Sequence, residues 1–235
     1  MIRPHHIIES IKNPQRAIRE IKYRYTFTSK IRFIADLLSL RTDVVLDCVK
    51  ELSQTQLSAN LNSRIKLDTI SSGRGPMGDE AEILYLCVSL IKPRIVVETG
   101  VGAGFSTAFI LHALEQNKRG ELYSIDFFKD KEKCGWIIPT HLKTSWRLIN
   151  GLSEQVLKPL LEKLGPIDIF IHDSDHSYEN MMSEFRTVWP FLRKEGVFLA
   201  HDVGRNDALF NFCREVNFPW WKIRTYKVLA GFRKS

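Results

Sequence analysis

The stretch "RIVVETGVGAGFST" (residues 94–107) decides the fold. Its first half is a continuous β-branched run, as expected of a strand buried on both faces of a parallel sheet. Gly100, Gly102 and Gly104 follow at alternate positions, where they allow a tight turn and close backbone approach. Ser106 and Thr107 then open an apolar helix, and the free N–H groups at its start favour an anion. Strand, glycine turn and helix in that order begin a βαβ unit.

The same alternation runs on from there. "ELYSIDF" (121–127), "SWRLING" (145–151), "IDIFIHD" (167–173) and "GVFLAHD" (196–202) read as further strands. Helical segments lie between them, and "WWKIRTYKVLAGF" (220–232) reads as a closing hairpin of two strands. The pattern predicts a Rossmann-like, doubly wound, mostly parallel α/β sheet of seven strands with an N-terminal helical extension. Ligands of such sheets bind beyond the carboxyl ends of the strands.

Before that domain the chain has another character. Residues 1–35 hold eight Lys/Arg and two acids, so nearly all of the net charge of +7 sits there. Asn13-Pro14 reads as a helix start. Residues 30–40 and 43–52 read as further helices, and 57–78 as loop. The expected division is a basic helical segment over 1–70 and an α/β domain over 71–235. A basic amphipathic arm can meet an anionic membrane or RNA, but docking on its own domain with charges outward is the commoner arrangement. The N-terminal helices are also a place for a homodimer contact. Cys48, Cys87, Cys134 and Cys213 are widely spaced with no CxxC pair, which suggests neither a disulfide framework nor a zinc knuckle. With no apolar signal segment or membrane-length run in the sequence, a cytoplasmic protein is expected.

The glycine turn discriminates between ligands. A dinucleotide loop would read G-x-G-x-x-G, but Phe105 stands at the third glycine. Glu98 precedes the turn, and a carboxylate there would repel a pyrophosphate. It suits an ammonium. S-adenosylmethionine (SAM) carries both an ammonium for Glu98 and a carboxylate for the helix start at Ser106. Asp126, ending the next strand, is placed to accept from ribose hydroxyls.

Two other strand ends are unusually polar: "IHDSDHSY" (171–178) and "LAHDV" (199–203). With the E-x-G-x-G-x-G turn, they make residues 71–235 resemble the class I SAM-dependent methyltransferases. The nearer resemblance is to small-molecule O-methyltransferases of the catechol and macrolide-sugar types. It implies that Gly151, Leu152 and Ser153 surround the adenine, and that Met77 and Gly78 lie near the methionine part of the cofactor. It also implies that Asp173 stands at the cofactor and binds Mg²⁺ or another divalent cation, with His176 as base in an Asp-x-x-His motif. The second metal motif, usually two acids or Asp-Asn, is here His201-Asp202. An imidazole ligand favours a transition ion over Mg²⁺.

This chemistry suits methyl transfer to a hydroxyl of a small molecule, sugar or glycan. The methyl is already activated, so position and a deprotonated nucleophile are what the protein must supply. Blander readings stand beside these. Asp175 can be the cap of the following helix, and His201 can be a satisfied core histidine. RNA methylation recruited by the arm, or a SAM-binding module without catalysis, are the alternative functions. Against RNA, an RNA enzyme would want basic and aromatic residues spread over its catalytic face, whereas residues 36–235 are nearly neutral.

Overall fold

The computed structural model describes residues 28–67, 78–130, 133–225 and 227–235. Three helices come first: α1 (Lys30–Leu38), α2 (Thr42–Ser53) and α3 (Leu57–Leu67). Then follow α4 (Gly78–Ile91), β1 (Ile95–Thr99), α5 (Phe105–Asn117), β2 (Glu121–Asp126), a 3-10 turn over Thr140–Ser145, and β3 (Trp146–Asn150). The second half holds α6 (Ser153–Leu164), β4 (Ile167–His172), α7 (Tyr178–Val188), β5 (Leu192–Ala200), α8 (Ala208–Glu215), β6 (Trp221–Arg224) and β7 (Val228–Arg233).

The seven strands form one sheet in the order β3-β2-β1-β4-β5-β7-β6. β1 to β5 pair in parallel, whereas β7 is antiparallel to both β5 and β6. The chain leaves β1 toward one edge and later returns through β4 toward the other. Parallel loops therefore part between β1 and β4, the place where such sheets open a crevice.

Both faces of the sheet are covered, which explains the unbroken apolar runs. Val96, Ile169, Ile171, Val197 and Leu199 pack with α1 to α5 in one buried cluster. Val97, Phe170, Phe198 and Phe232 pack with α6 to α8 in the other. Phe198 and Phe232 stack with centroids 4.8 Å apart. A buried acid interrupts β4. Buried Asp168 accepts from the backbone N–H groups of Arg94 and Ile95 at 2.8 and 2.7 Å and pairs with Arg193, so it fastens the start of β1 to β4.

Two expectations change at the N-terminal side. Residues 57–67, expected as loop, are α3. Their Ser and Asn content hides an i, i+4 pair, Leu57 and Leu61, both buried in the first cluster. The helical part also shares that cluster with the α/β part: Phe33, Ile34 and Leu61 belong with Ile83 and Phe109. The position expected for the boundary, near residue 70, lies outside the described residues. The Asn13-Pro14 helix and most of the basic arm lie outside them too. Of the arm's charges, Lys30 pairs with Asp79 at 3.2 Å and with Glu82, and Arg32 with Asp36 at 2.9 Å.

The turn after β1 is fixed by close approach. Asp173 N–H donates to the Thr99 carbonyl at 2.8 Å. Gly100 has φ +87°, and a Cβ there would stand 2.1 Å from the Asp173 carbonyl oxygen. A Gly100→Ala variant is therefore expected to lose about 3 kcal/mol or more of stability in denaturant unfolding. A loss below about 1 kcal/mol would show that the two loops can separate.

Candidate active site

A cavity of about 1000 Å³ opens at the carboxyl ends of the parallel strands. Gly100, Val101, Gly102 and Ser106 line it from the first turn, and Asp126 with Phe127 from the end of β2. Gly151, Leu152 and Ser153 line it after β3, and Asp173 and His201 after β4 and β5. The structure thus gathers most of the residues singled out in the sequence around one space. Gly78 begins α4 and is not among the lining residues, and Met77 lies outside the described residues.

Asp126 shapes the glycine turn. Its Oδ2 accepts from the N–H groups of Val101 and Gly102, both at 2.8 Å. The turn is backed by the segment after β2: Gly135 N–H donates to the Gly102 carbonyl at 2.9 Å. Gly104 approaches so near that a Cβ would meet Ile138 at 2.7 Å and Gly135 at 2.8 Å.

Glu98 is a correction. Its side chain does not line the cavity; it is fully buried beneath the turn. Ser124 Oγ donates to it at 2.7 Å and Thr107 Oγ1 at 3.1 Å. Strand alternation turns it into the layer between β1 and α5. Burial pushes its carboxyl up to about 8, although the Ser124 and Thr107 hydroxyls pull the other way.

The polar strand ends converge. His201 stands between two acids, with Nε2 2.7 Å from Glu80 Oε2 and Nδ1 2.6 Å from Asp173 Oδ1. The second contact is one of charge, because its alignment falls short of a hydrogen bond. Burial would lower the His201 pKa, but Asp173 and Glu80 together hold it up at about 10, so the ring stays protonated at neutral pH. Burial would likewise raise Asp173, but His176 and His201 hold it down at about 2. His176 Nε2 is 3.5 Å from Asp173 Oδ1 and 3.9 Å from Asp202 Oδ2. It is buried and has no hydrogen-bond partner. Asp175 is not the helix cap. Ser177 holds that position, and Asp175 accepts from the Ser177 N–H at 3.1 Å and hydroxyl at 2.7 Å.

The set expected to hold a metal is altered. Asp202 Oδ2 carries Lys227 Nζ at 2.6 Å and Arg205 Nε at 3.0 Å. Of Asp173, His201 and Asp202, then, one is a protonated imidazole and one is covered by two cations. Asp173, His176 and His201 do bring ligand-type atoms within 4.8 Å of one another. His201 is engaged by Glu80 and Asp173, and Asp202 by Lys227 and Arg205, so either set would have to give up these partners to hold a metal.

Several residues at the site carried no signal in the sequence. Glu80 and Lys227 are far from the motifs along the chain, and Arg205, three residues after Asp202, lies just beyond the motif. Beneath the motif, buried Glu184 lies 2.8 Å from His172 Nδ1, and it accepts from Thr99 Oγ1 at 2.7 Å and Ser174 Oγ at 2.6 Å. It ties α7 to the ends of β1 and β4. Its spacing from Ser177 in an amphipathic helix gives only the ordinary pattern of a helix face.

Comparison with known proteins agrees with this geometry. Residues 97–203 match a family described as a methyltransferase domain. No curated protein matches the chain. Among solved structures, the methyltransferase PaMTH1 of Podospora anserina, bound to S-adenosylhomocysteine (SAH), is similar at TM-score 0.60 and 15% identity. The similarity covers 76% of this chain and 87% of that one. The O-methyltransferase TomG of Streptomyces achromogenes, involved in tomaymycin synthesis and bound to SAM, follows at TM-score 0.58 and 14% identity, over 77% and 91%. MycE, from the mycinamycin biosynthetic pathway and in complex with Mg, SAH and mycinamycin VI, gives TM-score 0.54 and 18% identity, over 77% of this chain and 55% of that one. These neighbours share the fold of class I methyltransferases, and residues 97–203 match a methyltransferase domain. The matched stretch contains the glycine turn, Asp126 and both polar strand ends.

Glu98 generates a test of its own. Unfolded, its carboxyl ionises near 4.5; folded, it stays protonated up to about pH 8. Between those values the unfolded state holds fewer protons, so this group's contribution to stability falls as pH rises from 4.5 to 8. Melting curves of Glu98→Gln should decline less with pH over that window than wild type and lie higher at its alkaline end. Parallel curves would mean that Glu98 ionises freely in the fold.

Proposed function

We propose that this chain transfers a methyl group from SAM to a hydroxyl of a small molecule, sugar or glycan. One observation carries the reading: a single cavity has a nucleotide-type glycine turn with Asp126 at one side and Asp173 with His201, backed by His176, at the other. The neighbouring structures bound to SAM or SAH support it. When bound, SAM supplies a methyl made reactive by its sulfonium.

The chain's own residues have separable tasks. Asp126 receives ribose hydroxyls while its Oδ2 holds the turn open. Gly151, Leu152 and Ser153 border the adenine. The start of α5 at Ser106 faces the carboxylate, as a helix N-terminus favours. The ammonium, lost to Glu98, falls to Asp173, which lines the cavity against Gly100.

His176 is the base in this reading: its Nε2 is buried without a hydrogen-bond partner 3.5 Å from Asp173, which lines the cavity, and the ring has to turn past Asp173 to take the acceptor's proton as the new C–O bond forms and the S–C bond breaks. Asp173 beside it stabilises the imidazolium that results. Four buried, unbridged cysteines fit the reducing cytoplasm as the working compartment. Exposed Leu40, Val44 and Leu46 around α2 support a dimer contact there. An RNA or membrane role rests on the charge of residues 1–35 alone.

Calorimetry with SAH should give saturable binding that Asp126→Ala weakens by about tenfold or more. Absence of binding would remove the class of reaction. On any hydroxyl acceptor that turns over, His176→Ala should lower kcat by about 10²–10⁴-fold with little change in the KM for SAM. An unchanged kcat would move the base elsewhere.

A further inference from the structure

Three carboxylates meet at the acceptor end of the cavity: Glu80, Asp173 and Asp202. Such a group ordinarily invites a divalent cation, which takes several oxygen ligands at once. Here each carboxylate is already in contact with a basic side chain of this chain. His201 lies between Glu80 and Asp173. Lys227 and Arg205 lie on Asp202, whose side chain is only 5% exposed.

Lys227 does not reach this place by chance of a long side chain. It sits in the turn between β6 and β7, and its backbone N–H donates to Glu80 Oε1 at 3.3 Å. Thr225, at the other side of the turn, donates its hydroxyl to the same oxygen. The turn is thus anchored on Glu80 while the ammonium reaches Asp202. Lys227 also lines the cavity, and an ammonium with one donor on Asp202 has two more to offer.

We propose that Lys227, with Arg205 behind it, is a built-in counter-ion that closes these carboxylates to divalent cations, and that this methyltransferase site works without a metal. The fixed ammonium then supplies the positive charge beside the acceptor oxygen as it loses its proton to His176. The part concerning turnover rests on the function proposed above. The part concerning metal exclusion stands on geometry alone and is read without any acceptor.

The test uses the full chain, stripped with chelator and titrated with MgCl₂ or MnCl₂ by calorimetry and, for manganese, by electron paramagnetic resonance. Wild type should show no saturable binding at millimolar ion. Lys227→Met and Lys227→Gln should each open a site, with affinity higher by about tenfold or more, while Lys227→Arg stays closed. Melting temperature and SAH binding show whether each variant is folded and whether the cofactor reading holds, so the two ideas can fail separately. Manganese bound by wild type as tightly as by the variants would overturn the proposal. So would the absence of binding in both folded variants.

Discussion

Gly100 and the Asp173 backbone meet with no room for a side chain between them, and the site depends on that approach. β1 and β4 are neighbours although much of the domain lies between them in sequence. Their loops leave in opposite directions from the closest possible contact. The crevice that opens has the glycine turn on one wall and Asp173 on the other. Cofactor and acceptor ends therefore share one space because of strand order. The helices on both faces hold the sheet rigid enough to keep the geometry.

Charge is arranged as closely as shape. Most of the chain's positive excess lies in its first 35 residues, whereas the strand ends balance acid against base within a few ångströms. His201 is held as a cation by Asp173 and Glu80, and Asp202 is covered by Lys227 and Arg205. Buried carboxylates left unpaired would be costly. Among the described residues, His176 Nε2, His172 Nε2 and His201 Nδ1 are left buried without a hydrogen-bond partner beside these pairs.

Much of this was legible in the sequence because it is local. Buried parallel strands show as apolar runs, and the strand ends expected at 127, 151, 173 and 202 fall within a residue or two of those observed. Periodicity failed where it was thin: α3 rests on Leu57 and Leu61 amid polar residues. Glu98 was assigned to the ligand because an acid at a strand end reads alike whether it faces the crevice or the layer beneath. Alternation placed it inward, against Ser124 and Thr107. Glu80 and Lys227 could not be read at all. They reach the motifs only through folding, from the first turn of α4 and from the last hairpin.

A crystal structure grown with SAH and manganese, with data collected at the manganese absorption edge, tests the account most directly. The expected map has SAH across Gly100–Gly102 with its ribose at Asp126, Lys227 on Asp202, and no anomalous peak among Asp173, His201 and Asp202. An empty crevice would contradict the cofactor assignment, and an anomalous peak at the carboxylates with Lys227 displaced would contradict the charge arrangement on which the acceptor end is built.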